Sequence, residues 1–241
     1  MRDRPFMAAA KSRRRTPWAC ACLGALCAVP AVAAAGRLEV QVLDRDGTGV
    51  PEVAVYAVPV GVSADVAEPT ARADPGPAVP RATMNQIGLA FDPHLLVVET
   101  GTEIEFPNGD DVRHHVYSFS RARRFDLTID SGSIHSEPLS FDVAGLVTLG
   151  CNIHDNMLAY VLVVDTPLFA KTGGNGNVAL PVPDGRYEVH VWTPRLPDKA
   201  LPEPVTVELA QGGARELAFW FDQKLYPPHE HSETSLHWPH Y

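Results

Sequence analysis

Cys151 opens the run Cys151-Asn152-Ile153-His154-Asp155-Asn156-Met157, so a thiolate, an imidazole and a thioether fall within seven residues at Cys-x2-His-x2-Met spacing. A second imidazole lies upstream, in Asn108-Gly109-Asp110-Asp111-Val112-Arg113-His114-His115-Val116. Two imidazoles, one thiolate and one weak thioether are the donors of a trigonal copper site with a long axial methionine, the arrangement of blue copper electron-transfer centres. Zinc is the default for cysteine and histidine alone, but it seldom takes a thioether and usually wants a closed set of cysteine and histidine ligands. One type 1 copper ion is therefore the expected cofactor. Taken singly, each residue has a bland reading as small core cysteine, core filling or surface histidine. Their joint spacing carries the metal reading. A tight ligand loop would hold both copper oxidation states in one geometry, which fast electron transfer requires.

Such a loop needs strands to hold it. Val147 to Leu149 directly precedes Cys151, and the upstream histidines begin a run ending at Phe119. Strands alternate side chains between two faces, so only one of His114 and His115 can readily point at a metal. Further β runs are Leu95 to Val98, Glu103 to Phe106, Phe125 to Ile129, Leu139 to Phe141 and Leu158 to Val164, separated by turn formers at sandwich-like intervals. Before this segment, Leu38-Glu-Val-Gln-Val-Leu and Val53-Ala-Val-Tyr-Ala-Val flank a turn at Asp44 to Gly49; after it come strands at Val178 to Leu180, Tyr187 to Val191, Val205 to Leu209 and Glu216 to Phe221. Neither outer piece could bury a core alone, but together they could make one sandwich. The chain is thus divided into 36–65 with 168–223 as a split β-sandwich, an Ala/Pro-rich linker at 66–82, an inserted domain at 83–165 and a His-rich tail at 224–241.

Two resemblances sharpen this. The outer pieces, with Pro183-Asp184-Gly185-Arg186-Tyr187-Glu188-Val189 after an Asp-x-x-Gly turn, resemble the carboxypeptidase-regulatory or transthyretin-like β-sandwich family. The middle segment resembles the cupredoxins across about 80 residues: Phe91-x-Pro93 leads through Gly101-Thr-x-Ile-x-Phe106-x-Asn108-x-Asp110 to His114, and the Cys151 loop is short, similar to that of amicyanin. It is most like plastocyanin-like proteins of the methylamine-utilisation type, which share the His114 to Phe119 and Gly150 to Asp155 runs. The resemblance implies an all-β fold, a Greek-key cupredoxin sandwich inserted into a second small β-sandwich, with His114, Cys151, His154 and Met157 as metal ligands. It departs from the common pattern at Ile153, where many relatives have proline, and at His115, where many have asparagine; His115 is expected to take over that asparagine's hydrogen bonding. Centres of two copper ions need two cysteines and are excluded.

Residues 1–35 carry a basic start, an apolar run from Trp18 to Val32 and Ala33-Ala34-Ala35, the pattern of a signal peptide cleaved near Gly36, with an uncleaved anchor as the alternative. The protein is thus expected to be periplasmic or secreted, with no integral membrane span after cleavage. Cys20, Cys22 and Cys27 fall inside the signal, leaving Cys151 alone and no internal disulfide. Formal net charge is −9; without the six basic residues and one acid before residue 36, it is −14. So acidic a chain offers no footprint for nucleic acid and is expected to meet a redox partner with a basic surface, such as a cytochrome c or a dehydrogenase. No Gly-x-Ser-x-Gly, His-Glu-x-x-His or Walker sequence is present, so no enzyme is expected. A non-redox copper-delivery protein, or an adhesion sandwich with a degenerate insert, are the competing classes. His229, His231, His237 and His240 crowd the tail and read as solvated; Met84 reads as core; His94, His135 and His190 have no partner visible in sequence.

Overall fold

A computed structural model of the chain describes residues 36–61, 79–134, 136–197 and 201–228. The alternation at Leu38, Val40 and Val42 buries one face of β1 (Gly36–Asp44). A turn follows in which the Asp44 carboxylate accepts the N–H groups of Asp46 and Thr48, and β2 (Ala54–Pro59) comes next. The middle of the chain forms β3 (Arg81–Thr83), β4 (Asn85–Gln86), β5 (Phe91–Asp92), β6 (Leu95–Glu99), β7 (Thr102–Glu105), β8 (His114–Phe119), β9 (Arg124–Ile129), β10 (Leu139–Phe141), β11 (Gly145–Cys151) and β12 (Leu158–Val164). The last strands are β13 (Phe169–Lys171), β14 (Asn177–Val182), β15 (Gly185–Trp192), β16 (Val205–Leu209) and β17 (Ala214–Phe221).

The expected all-β class holds, as one sandwich inserted into another. Sheets β14-β1-β17 and β13-β2-β15-β16 enclose an apolar cluster built from both ends of the chain, including Leu38, Val55, Val189, Phe219 and Phe221. Sheets β6-β12-β11-β8-β9 and β10-β7-β3 enclose a second, including Phe91, Phe106, Val116, Leu149, Cys151 and Met157. β4 and β5 make a small separate ribbon. The chain leaves the outer sandwich after β2 and re-enters it at β13, where Thr172 closes the junction: its hydroxyl donates to the Val50 carbonyl and accepts from the Val53 N–H.

A third cluster joins the two bodies. Leu95, Val97, Leu162 and Val164 of β6 and β12 pack with Ala54, and Tyr56, Phe169 and Trp192 lie against them. This explains why Leu158 to Val164 reads as an unbroken apolar run. Ala159, Val161 and Val163 face the inner cluster while Leu162 and Val164 face the seam, so both sides of β12 are buried.

One boundary moves. Residues 66–82 were expected to be linker, yet Arg81–Thr83 is a strand, paired in parallel with the open edge of β7. The Arg81 guanidinium spans Glu103 and Glu105 on that strand, and the next residue, Met84, is fully buried. Three residues beside a proline-rich stretch show no periodicity, so only the partner strand defines them. Residues 1–35, 62–78 and 229–241, with their signal, linker and tail readings, lie outside the described residues, as does His135. Among the described residues no helix is long and apolar enough to cross a membrane.

Candidate metal centre

Antiparallel pairing of β11 with β8 sets Cys151 opposite Val116 and Gly150 opposite Tyr117. The thiol at the end of one strand therefore arrives beside the histidine that opens the other. Gly150 lets the Tyr117 ring lie close over the strand, since a Cβ at that position would stand 2.9 Å from it and push the ring aside. Beyond Cys151 the chain turns back: the Asn152 N–H donates to the His115 carbonyl, and the Met157 N–H to the His154 carbonyl. That turn folds His154 over the cysteine before β12 begins.

His114, Cys151 and His154 form a cluster whose ligand atoms all lie within 4.8 Å of one another. Cys151 Sγ is 3.8 Å from Nδ1 of His114 and 3.8 Å from Nδ1 of His154. A thiol has a single proton and cannot donate to both. For metal–sulfur and metal–nitrogen bonds of about 2.3 and 2.0 Å, ligands about 120° apart are separated by about 3.7 Å. The spacing thus suits three donors around one ion. Met157 is buried in the same apolar cluster as Cys151.

The strand settles which upstream histidine faces the cysteine. His114 is fully buried; His115 points to the other side, against Asp126 of β9. The expectation that the His115 side chain would serve the ligand loop is therefore not met. Its backbone carbonyl meets that loop instead, because strand alternation sends the imidazole outward.

Sequence reasoning did not single out Asp110. Its Oδ2 lies 2.9 Å from Nε2 of His114, and an ionised carboxylate can only accept, so Nε2 carries a proton and Nδ1 is the nitrogen turned toward the cysteine. Burial alone would push the Asp110 carboxyl up, but the Leu89 N–H, the His114 imidazole and the Gly88 N–H together hold it below the ordinary carboxylate range. Asn108 shapes this loop. It is fully buried, accepts the Asp110 N–H, and donates to the carbonyls of Val112 and Asp130. The only sequence signal was two polar residues beside a histidine before a strand. Burial, then the neighbouring His114, lower the pKa of His154, with Asp110 opposing, so its neutral, metal-binding form is favoured.

Parts of this chain are similar to amicyanin. The reduced state of an amicyanin mutant aligns at 18% identity over 45% of this chain and 99% of that one, with a TM-score of 0.31. Amicyanin from Paracoccus versutus aligns at 17% identity over 38% and 85%, also at 0.31. A second mutant, in its Cu(I) form, does so at 17% over 34% and 80%, again at 0.31. No family model matches the sequence, and no curated protein matches it. Identities and scores this low carry no function across.

The other histidines have structural surroundings. His94 Nδ1 lies 2.9 Å from the Leu158 carbonyl and its ring meets Tyr160 edge-on, while His190 stacks flat on Tyr56 with centroids 4.9 Å apart. Met84 is a fully buried member of the inner cluster.

Proposed function

We propose that this chain is an exported one-electron carrier in which His114, Cys151, His154 and Met157 would hold one type 1 copper ion, Met157 as the weakest donor. The observation that carries the reading is the placement of Cys151 Sγ at the same 3.8 Å from two imidazole nitrogens. When bound, copper would supply a one-electron couple tuned by its thiolate and thioether neighbours. The chain's own residues do the rest. Asp110 engages His114 Nε2 and so fixes the orientation of the ring. β8 and β11, paired and packed on a rigid core, hold thiol and imidazole in one geometry with or without a change of charge. Burial of Cys151 keeps water and oxidants from the thiol.

In this reading the protein works in the periplasm and is not an enzyme, four protein donors leaving no position for a substrate. The outer sandwich is a carboxypeptidase-regulatory-like host, and the net acidic surface steers a basic cytochrome or dehydrogenase toward the site. A visible spectrum of the copper-loaded chain tests it. Intense thiolate-to-copper absorption that reduces reversibly by one electron and disappears in Cys151→Ser is expected. Stoichiometric copper with slow, incomplete reduction would mean delivery instead, and no stoichiometric copper would leave a structural insert.

A further inference from the structure

We propose that the tip of the β8–β9 hairpin is a docking surface for a second protein partner, one with an acidic face, separate from the face met by a basic partner. Phe119 ends β8 with 76% of its surface exposed, and the next residues are Ser120-Arg121-Ala122-Arg123-Arg124. Arg124 pairs across the hairpin with Phe119 itself. Elsewhere Arg37, Arg45, Arg81 and Arg113 lie against carboxylates, while Arg186, Arg195 and Arg215, also without an ion pair among the described residues, each stand alone in the sequence. Among the described residues Arg121, Arg123 and Arg124 meet no carboxylate, and the buried Nε of Arg123 has no hydrogen-bond partner. In a chain whose charge beyond residue 35 is −14, three arginines without ion-pair partners within five residues of an exposed aromatic side chain are a local reversal of sign. The neighbouring turn is close, Ala122 meeting Gly145, and it exposes Val143 as well. An aromatic anchor rimmed by arginines is the composition of an interface hot spot, and its charge calls for carboxylates opposite. A membrane or nucleic acid is disfavoured, since an extended polyanion would meet the acidic remainder of the molecule as well.

The surface also has a line back to the candidate metal centre. The Phe119 and Tyr117 rings are 5.2 Å apart between centroids, and Tyr117 lies against Gly150, the residue before Cys151. By strand rise, Phe119 stands about 17 Å along β8 from His114, and the two rings divide that gap. Use of this ladder as an electron outlet rests on the copper reading: one electron passes outward, a one-electron acceptor protein is reduced by one, and no bond or proton moves. The docking face itself rests on charge and exposure alone. A carrier so built could take its electron at one face and deliver it at another.

The first measurement needs no copper. Hexacyanochromate(III), a redox-inert paramagnetic trianion, added to the isotopically labelled metal-free chain should broaden the amide signals of Phe119, Arg121 and Arg124 first. Arg121→Glu/Arg124→Glu should remove that effect while leaving the circular dichroism spectrum unchanged. An acidic cytochrome c, titrated against the same protein, should shift the same signals, and the double variant should weaken it by about tenfold or more. Phe119→Ala should weaken the cytochrome but leave the trianion in place. Broadening centred elsewhere, unaltered cytochrome affinity in the double variant, or preferential binding of phosphatidylglycerol vesicles would each overturn the proposal. If the copper reading fails, the visible spectrum fails while these shifts persist, so the two outcomes are distinct.

Discussion

The two sandwiches use their buried polar residues differently. In the outer body the buried hydroxyls serve the backbone: Thr166 and Thr172 each donate to one nearby carbonyl and accept from one nearby N–H group. Its cluster is otherwise aliphatic and aromatic. In the inner body Asn108 and His114 are fully buried and Asp110 largely so; the Asn108 side chain accepts the Asp110 N–H, the Asp110 carboxylate meets Nε2 of His114, and the other nitrogen of that ring faces Cys151. Polar groups are expensive to bury and must be matched. Where matching only closes a fold, hydroxyls suffice; where it orients an imidazole toward a cysteine, a series of residues is fixed.

The comparison is broken most directly by substitutions in each body. His114→Ala should remove nearly all copper affinity, whereas His115→Ala, which deletes a surface contact with Asp126, should cost less than about 1 kcal/mol of stability and leave copper in place. Calorimetric titration with copper checks the ranking, and the reverse order would transfer the ligand role to His115. Phe221→Ala in the outer cluster should cost about 3 to 5 kcal/mol in chemical denaturation. At temperatures where the variant stays folded, the copper spectrum should be unaltered.

Finer distinctions follow. Met157→Leu should retain copper and raise the reduction potential, because losing a weak axial donor destabilises Cu(II) more than Cu(I); an unchanged potential in voltammetry would make Met157 core alone. The smallest expected effect is in the seam. Burial lowers the pKa of His190, with Glu188 opposing, so the folded state disfavours the imidazolium. Stability from this residue is complete above the ordinary histidine value of about 6.5 and is lost as pH falls below it toward the depressed folded value. His190→Gln should therefore narrow the drop in melting temperature between about pH 8 and pH 5, since the unfolded histidine would no longer take up a proton ahead of the folded one.

Much of the candidate site was legible because it is local. Cys151, His154 and Met157 occupy seven consecutive residues, and alternation along one strand let only one of His114 and His115 face them, the cupredoxin resemblance pointing to His114. Asp110 was not legible, because a carboxylate four residues before a histidine, in a loop without periodicity, has no direction until Asn108, Gly88 and Leu89 hold it. β3 escaped for a similar reason: a three-residue strand has too few alternations to register, and only the free edge of β7 makes it one.

The amino-acid order alone determined the strand class, the ligand loop, the shortage of thiols and the acidic balance, since these depend on residue types and short spacings. Tertiary structure decided what depends on contacts between distant segments. It split β6 and β12 between two apolar clusters, brought His114 to Cys151 across thirty-seven residues and, among the described residues, left three arginines at one hairpin tip without carboxylates. Periodicity says which side of a strand is buried, but only packing says against what.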